Sequence, residues 1–134
     1  KLDNQWSMPK TKLWGKLMQT LSLECDGTVA VCPVTMEEIG SFGAVREDLE
    51  GFAEQMRRIK GVRVAALIRQ DPGNRCKLSL RSSGSDDVRS VAAFFGGGGH
   101  LNAAGATIDD ADMDAVTRQT IQAIQDITFG VGEK

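Results

Sequence analysis

The stretch from Val62 to Ser82 restricts the fold of this chain more than any other. An apolar run rich in Val, Leu and Ile spans Val62 to Ile68, the turn-forming residues Asp71-Pro72-Gly73-Asn74 follow, and Cys76 to Ser82 then alternate apolar with polar. The first run predicts a buried strand and the second its returning partner. A period of two places Cys76, Leu78 and Leu80 on one face of the returning strand and Lys77, Ser79 and Arg81 on the other. One face is core and the other polar, so the hairpin requires further strands and helices packed against it.

The flanking sequence supplies them. Pro9, at a first helical position, precedes the helical stripe Leu13, Trp14, Leu17, Met18 and Leu21. Leu21, Leu23 and Cys25 alternate up to Asp26-Gly27, with Val29 and Val31 beyond, which predicts a hairpin closed by a type I′ turn. Thr35 and Glu38 have capping-box spacing for a short helix ended by Gly40, Ser41 and Gly43. Leu49, Phe52, Ala53, Met56 and Ile59 predict a helix stopping at Gly61. A short helix through Val88, Val91, Ala92 and Phe95 is expected behind Ser85 or Asp86 as cap. A strand over Ala104 to Ile108 and an amphipathic helix over Met113, Val116, Thr120, Ile124 and Ile127 complete the chain. The expectation is a single small α/β domain of the mixed α+β kind. Its order is α-β-β-α-β-β-α-β-α, with about five strands in a mixed sheet and helices packed on it.

With 134 residues, 41% of them hydrophobic, the chain is long enough for one core and too short for two. A formal net charge of −2 excludes the global basic field that drives non-specific binding to long duplexes. No apolar run reaches the roughly 20 residues that span a bilayer. Lys1, Asp3 and Asn4 interrupt any signal-like stretch, and a cytoplasmic location without membrane contact is expected. Cys25, Cys32 and Cys76 have no CxxC spacing, and read as small buried hydrophobes in strands.

Four consecutive glycines, Gly96 to Gly99, run into His100, the sole histidine. Glycines let backbone N–H groups converge on an anion, and a helical turn over Leu101-Asn102-Ala103-Ala104 would add donors. No Lys-Ser/Thr follows the glycines, as a Walker loop requires, and they follow a helix where a dinucleotide fingerprint follows a strand. His100 is a weak candidate metal ligand, since no second histidine or suitable cysteine pair accompanies it, but a suitable donor to phosphate. Arg81 ends the polar strand face, with Ser82 and Ser83 beside it, and a guanidinium suits bidentate phosphate binding. A flexible hinge with a surface histidine, and a solvated arginine, are the structural alternatives. Asp109, Asp110, Asp112 and Asp114 lack the glycine and terminal glutamate of a calcium loop and read as negative charge at a helix N-terminus. Trp14 falls on the apolar stripe and reads as core, while Trp6 is undetermined.

Phe95-Gly96-Gly97-Gly98-Gly99-His100-Leu101-Asn102-Ala103-Ala104-Gly105-Ala106 resembles the GGGHxxAAG signature of the C-terminal, DHH-associated domain of DHH phosphoesterases. Lys77-Leu78-Ser79-Leu80-Arg81-Ser82 resembles the strand that precedes it in that family, and the similarity extends from about Lys12 to Ile127, including Asp48 to Gly51. It is nearest the branch of nanoRNases and pAp phosphatases. The resemblance implies a two-domain, often dimeric, cytoplasmic enzyme whose N-terminal domain binds manganese through aspartates and histidines. The C-terminal domain holds the nucleotide and its phosphate. Carried across residue by residue, it points to Arg81 and Ser82 on the strand and to Gly98, Gly99, His100 and Asn102 in the loop.

There is no Asp-His-His triplet, and one histidine cannot build a two-metal site. The expectation is therefore a fragment that binds no cofactor and hydrolyses nothing alone: residues 1–20 an interdomain connection, 21–128 the substrate-binding domain, 129–134 a tail. The expected partners are a nucleotide or short RNA and the manganese-bearing N-terminal domain, with a homodimer implied by the family. Cyclic-dinucleotide phosphodiesterases and exopolyphosphatase-like proteins share such a domain, and a pure dimerisation or docking domain is the reading from another class.

Overall fold

The first helix is set by local chemistry. Ser7 caps it by accepting a hydrogen bond from Lys10 N at 3.1 Å, Pro9 occupies the first turn, and α1 (Met8–Thr20) buries Leu13, Trp14 and Leu17. The computed structural model describes residues 5–130, so the reading of Lys1, Asp3 and Asn4 and most of the expected tail lie outside the described residues. Strands β1 (Ser22–Glu24) and β2 (Val29–Val34) form a hairpin whose turn holds Asp26 and Gly27 at φ 58° and 82°, as a type I′ turn requires. Cys25, also left-handed at φ 54°, is half-buried in this turn, while Cys32 and Cys76 are the buried strand residues expected.

Helix α2 (Met36–Ser41) carries the full capping box: Glu38 N donates to Thr35 Oγ1 at 3.0 Å and Thr35 N to Glu38 Oε1 at 3.0 Å. The next predicted helix is divided. A 3-10 turn (Arg46–Leu49) and α3 (Phe52–Arg57) are separated by Gly51 at φ 87°, a left-handed position that ends one helix before the other begins.

Strand β3 (Val64–Asp71) runs parallel to β2, and β4 (Arg75–Ser82) returns antiparallel to it through Pro72-Gly73-Asn74. Helix α4 (Arg89–Phe94) has neither Ser85 nor Asp86 as its cap. Asp87 serves its first turn, accepting from Ser90 N at 3.0 Å. Strands β5 (Gly98–His100) and β6 (Ala103–Ile108) follow, then α5 (Met113–Ala123), capped by Asp112 and extended by a π-helical turn (Ile124–Thr128).

Among the described residues the mixed sheet has six strands in the order β1-β2-β3-β4-β6-β5, with β2–β3 the only parallel pair. The sixth, beyond the five or so expected, is the glycine segment. The helical turn expected over Leu101 to Ala104 is instead a two-residue connection, Leu101-Asn102, joining β5 to β6.

Each sheet face carries its own core. Leu78, Leu80, Val64, Ala66 and Ile68 pack against α4 and α5 through Val91, Ala92, Val116 and Ile124. On the opposite face Ala30, Cys32, Ala65 and Leu67 pack against α1, α2 and α3 through Leu13, Leu17, Ile39, Phe52 and Met56. This second layer covers β2 and β3 and leaves the same face of β4, β6 and β5 open, with Lys77, Ser79 and Arg81 only partly buried there. Among the described residues no helix is long and apolar enough to cross a membrane.

Candidate functional site

The open half-face is built from the alternation of β4. Arg81 pairs with Ala103 on β6, and Ala103 pairs in turn with His100 on β5. Residues directly opposite one another share a face, so Arg81 and His100 stand on the same side of the sheet in one row, two strands apart, roughly 10 Å between backbones. The next rows toward the other end of β4 are Leu67, Ser79, Gly105 and Gly98, then Arg69, Lys77 and Thr107. Where the helical layer ends, a cleft of about 500 Å³ forms against this floor. Its wall comes from Arg46 to Ala53, the 3-10 turn and the start of α3. His100, exposed, lies on the same face beyond the cleft, at the sheet edge.

Five basic residues line the cleft, and they are not equivalent. Arg69 forms a two-pronged pair with Asp71, Nε to Oδ1 at 2.7 Å and NH2 to Oδ2 at 2.9 Å. Arg46 lies 3.5 Å from Glu47 and 3.9 Å from Asp71, and Arg75 lies 2.8 Å from Asp109. The hydrogen bonds from Arg69 hold the Asp71 carboxyl below the usual carboxylate range even though burial opposes ionisation. Lys77 and Arg81 have no carboxylate partner within 4.0 Å among the described residues. Among the described residues the one side-chain hydrogen bond of Arg81 is from NH1 to the carbonyl of Leu80, at 2.9 Å.

Three of the four glycines are demanded by the fold. Gly96 has φ 84°. A Cβ on Gly97 would stand 2.1 Å from the Gly105 carbonyl oxygen, and one on Gly99, at φ 143°, would stand 2.6 Å from Ala104 Cα. Gly98 differs from the others. It has no positive φ, and a Cβ there would meet nothing within 4 Å.

Ser82 and Asn102 lie together but not with Arg81 and His100. Ser82 alternates to the buried face, where its hydroxyl donates to Asp86 O at 2.6 Å and accepts from Asn102 Nδ2 at 2.9 Å. Asn102 Nδ2 also reaches Gly84 O and Asp86 O at 3.2 and 3.3 Å. Backbone bonds from Ser82 N to Asn102 O and from Val88 N to Leu101 O complete the tie. This cluster clamps the β5–β6 connection to the end of β4, and so fixes His100 relative to Arg81.

A scan against protein-family models matches residues 26–126 to the DHHA1 domain. The chain belongs to the DHHA1 domain family. This is the DHH-associated domain that the glycine signature resembles. Among curated proteins it is 28% identical over 115 residues to the bifunctional oligoribonuclease and PAP phosphatase NrnA of Thermus thermophilus, covering 86% of this chain and 34% of that protein. It is likewise 28% identical over 109 residues to the cyclic-di-AMP phosphodiesterase PdeA of Listeria monocytogenes, covering 81% of this chain and 16% of that protein. Among solved structures, an exopolyphosphatase-related protein from Bacteroides fragilis superimposes with a TM-score of 0.86 at 32% identity, over 96% of this chain and 38% of that one. The chain thus spans only about a third of NrnA and of the Bacteroides protein, and less of PdeA.

Among its described residues this DHHA1 domain brings no three His, Cys, Asp or Glu side chains together in a way that could hold a metal ion. The acidic run is otherwise engaged: Asp112 caps α5, Asp114 lies in its first turn and Asp109 pairs with Arg75. Trp14 is core, donating from Nε1 to Asp48 O at 2.7 Å and so holding the cleft wall, and Trp6 packs edge-on against it at 4.6 Å. What residue reading missed is the cleft wall over Arg46 to Gly51 and the unpaired state of Lys77. Both depend on contacts between distant segments, for which a single strand pattern carries no signal.

Proposed function

We propose that this DHHA1 domain holds the phosphate of a nucleotide or short oligoribonucleotide for a DHH phosphoesterase whose metal centre, manganese by the family's chemistry, is built from residues outside this chain. The observation that supports the reading is the shared row of Arg81 and His100 on an open sheet face, with Gly98 one row away. Arg81 offers a guanidinium with no carboxylate within 4.0 Å among the described residues, although Glu54 is near enough to feel its charge, His100 offers a ring N–H, and Gly98 permits a phosphate to approach the backbone closely. Ser82 and Asn102 act through the clamp, as positioning residues. The glycine at position 98 adds support, because packing does not require it while a ligand at the surface would.

Calorimetric titration of a short oligoribonucleotide into the chain tests this. A hydrogen bond to a charged group contributes ~1.5–3 kcal/mol, so Arg81→Ala is expected to weaken binding by roughly ten- to a hundredfold with little change in melting temperature. His100→Ala and Gly98→Val are expected to weaken it as well. If the wild type binds and all three variants bind equally well, the cradle lies elsewhere. A wild type that ignores nucleotides and self-associates would favour a docking domain.

A further inference from the structure

Gly51 and Ala53, at the start of α3, line the cleft together with Arg81, and Glu54 is the next residue of that helix. Phe52, Ala53 and Met56 turn into the core, which leaves Glu54 and Arg57 partly exposed on the outer side, one helical turn apart. Arg57 grips Glu54 as a fork. Its Nε lies 3.2 and 3.1 Å from the two carboxylate oxygens, and its NH2 donates to Oε2 as well. These hydrogen bonds hold the Glu54 carboxyl below the usual carboxylate range against the opposing effect of burial, and the charges of Arg57, Arg81 and Arg58 add to them in that order. Glu54 therefore senses Arg81, yet the two form no ion pair within 4.0 Å. Of the other carboxylates in the lining, Asp71 is bound by Arg69, Glu47 lies beside Arg46, and Glu50 is exposed to solvent, which screens it.

We infer that Arg57 is a positioning residue: by occupying both oxygens of Glu54 it keeps that carboxylate from closing on Arg81, and so leaves the Arg81 guanidinium available to an anion in the cleft. The inference rests on reading Arg81 as a phosphate-binding residue and explains how it stays unpaired beside an acidic helix. A guanidinium fork matches a carboxylate in its own plane, so the pair within α3 fixes the direction in which Glu54 faces. Without the fork, Glu54 is left with the charges of Arg81 and Arg58, of which Arg81 has the larger effect. A phosphate would then have to displace Glu54 from Arg81 before it could bind.

The test is calorimetric titration of a 5′-phosphorylated diribonucleotide into the full chain and into R57Q, E54Q, R57Q/E54Q and R81A, each checked by thermal melting. R57Q is expected to bind about fivefold more weakly, as competition from a partly exposed ion pair allows. R57Q/E54Q should regain the affinity of the wild type although the Arg57–Glu54 pair is gone, an outcome that mere loosening of α3 does not produce. Simple addition of charges would let E54Q offset R57Q too, so the deciding quantity is the coupling between them. The gain in affinity from E54Q should be at least roughly threefold larger in the R57Q background than in the wild type. If R81A binds weakly, then an R57Q that binds like the wild type, a double variant as weak as R57Q, or equal gains from E54Q in both backgrounds would overturn the role of Arg57 and leave the phosphate site standing. Unchanged binding in R81A, or a wild type that does not bind the diribonucleotide, overturns the site and the inference together.

Discussion

Alanine at Gly97 and at Gly98 should have opposite consequences, although the two residues are adjacent in a run of four identical ones. At Gly97 the new methyl would stand 2.1 Å from the Gly105 carbonyl oxygen, 2.6 Å from Ala106 Cβ and 2.7 Å from Ala106 Cα. All three belong to β6, which is held by β4 on its other side, so relief requires β5 to separate from the sheet. Overpacking of this kind costs about 1–3 kcal/mol, and backbone atoms as the obstacle place Gly97→Ala at the upper end. For a domain of this size ~1 kcal/mol moves the melting temperature by roughly 4 °C, so a fall of about 10 °C is expected. At Gly98 the methyl meets nothing within 4 Å and φ is not positive, so the folded state is undisturbed while the unfolded chain loses freedom. Gly98→Ala should therefore leave stability unchanged or raise it by up to about 1 kcal/mol. Differential scanning calorimetry of the two variants decides the matter. Equal melting temperatures would refute the packing of β5 against β6 on which the site geometry stands.

Other expectations concern titration and reactivity. Because folding lowers the Asp71 pKa through hydrogen bonds from Arg69, its contribution to stability is complete above the ordinary value of 3.8 and is lost as pH falls through the lower folded-state value. Asp71→Asn should thus be less stable than wild type near neutrality and lose less on acidification below about pH 4, as acid-induced unfolding followed by circular dichroism would show; parallel pH profiles would contradict this. Burial, reinforced by the Glu38 carboxylate, pushes the Cys32 thiol up to about 12. Iodoacetamide at pH 8 should therefore label Cys25 before Cys32, and Cys32 only on unfolding; mass spectrometry showing early Cys32 labelling would disprove the burial argument.

The hairpin β3–β4 was legible from sequence because its alternation reflects the two different faces it serves: Leu78 and Leu80 meet α4 and α5, while Lys77 and Arg81 meet the cleft. Arg81 and His100 were likewise singled out by residue type and motif. The β5 strand was not legible, since glycine has low strand propensity and Gly98–His100 forms a strand only by pairing with a β6 that comes later in the chain. The break at Gly51 was hidden by apolar spacing that continues across it from Leu49 to Phe52. Nor does sequence show which of Arg46, Arg69, Arg75, Lys77 and Arg81 is neutralised. The pairs Arg75–Asp109 and Arg46–Asp71 join residues far apart in the chain, so no local pattern announces them.

The clamp around Asn102 bears on how affinity is apportioned at this site. A run of four glycines is the most conformationally free segment in the unfolded chain, and as an unattached loop it would have to be ordered by each ligand it bound. Here Gly98 to His100 is paired along β6, and the connection behind it is fastened to Ser82, Gly84 and Asp86. The loss of entropy therefore falls on folding. On the proposed reading, an arriving phosphate would meet a preorganised surface, and the free energy of its contacts would appear as affinity, undiminished by the cost of immobilising the glycines.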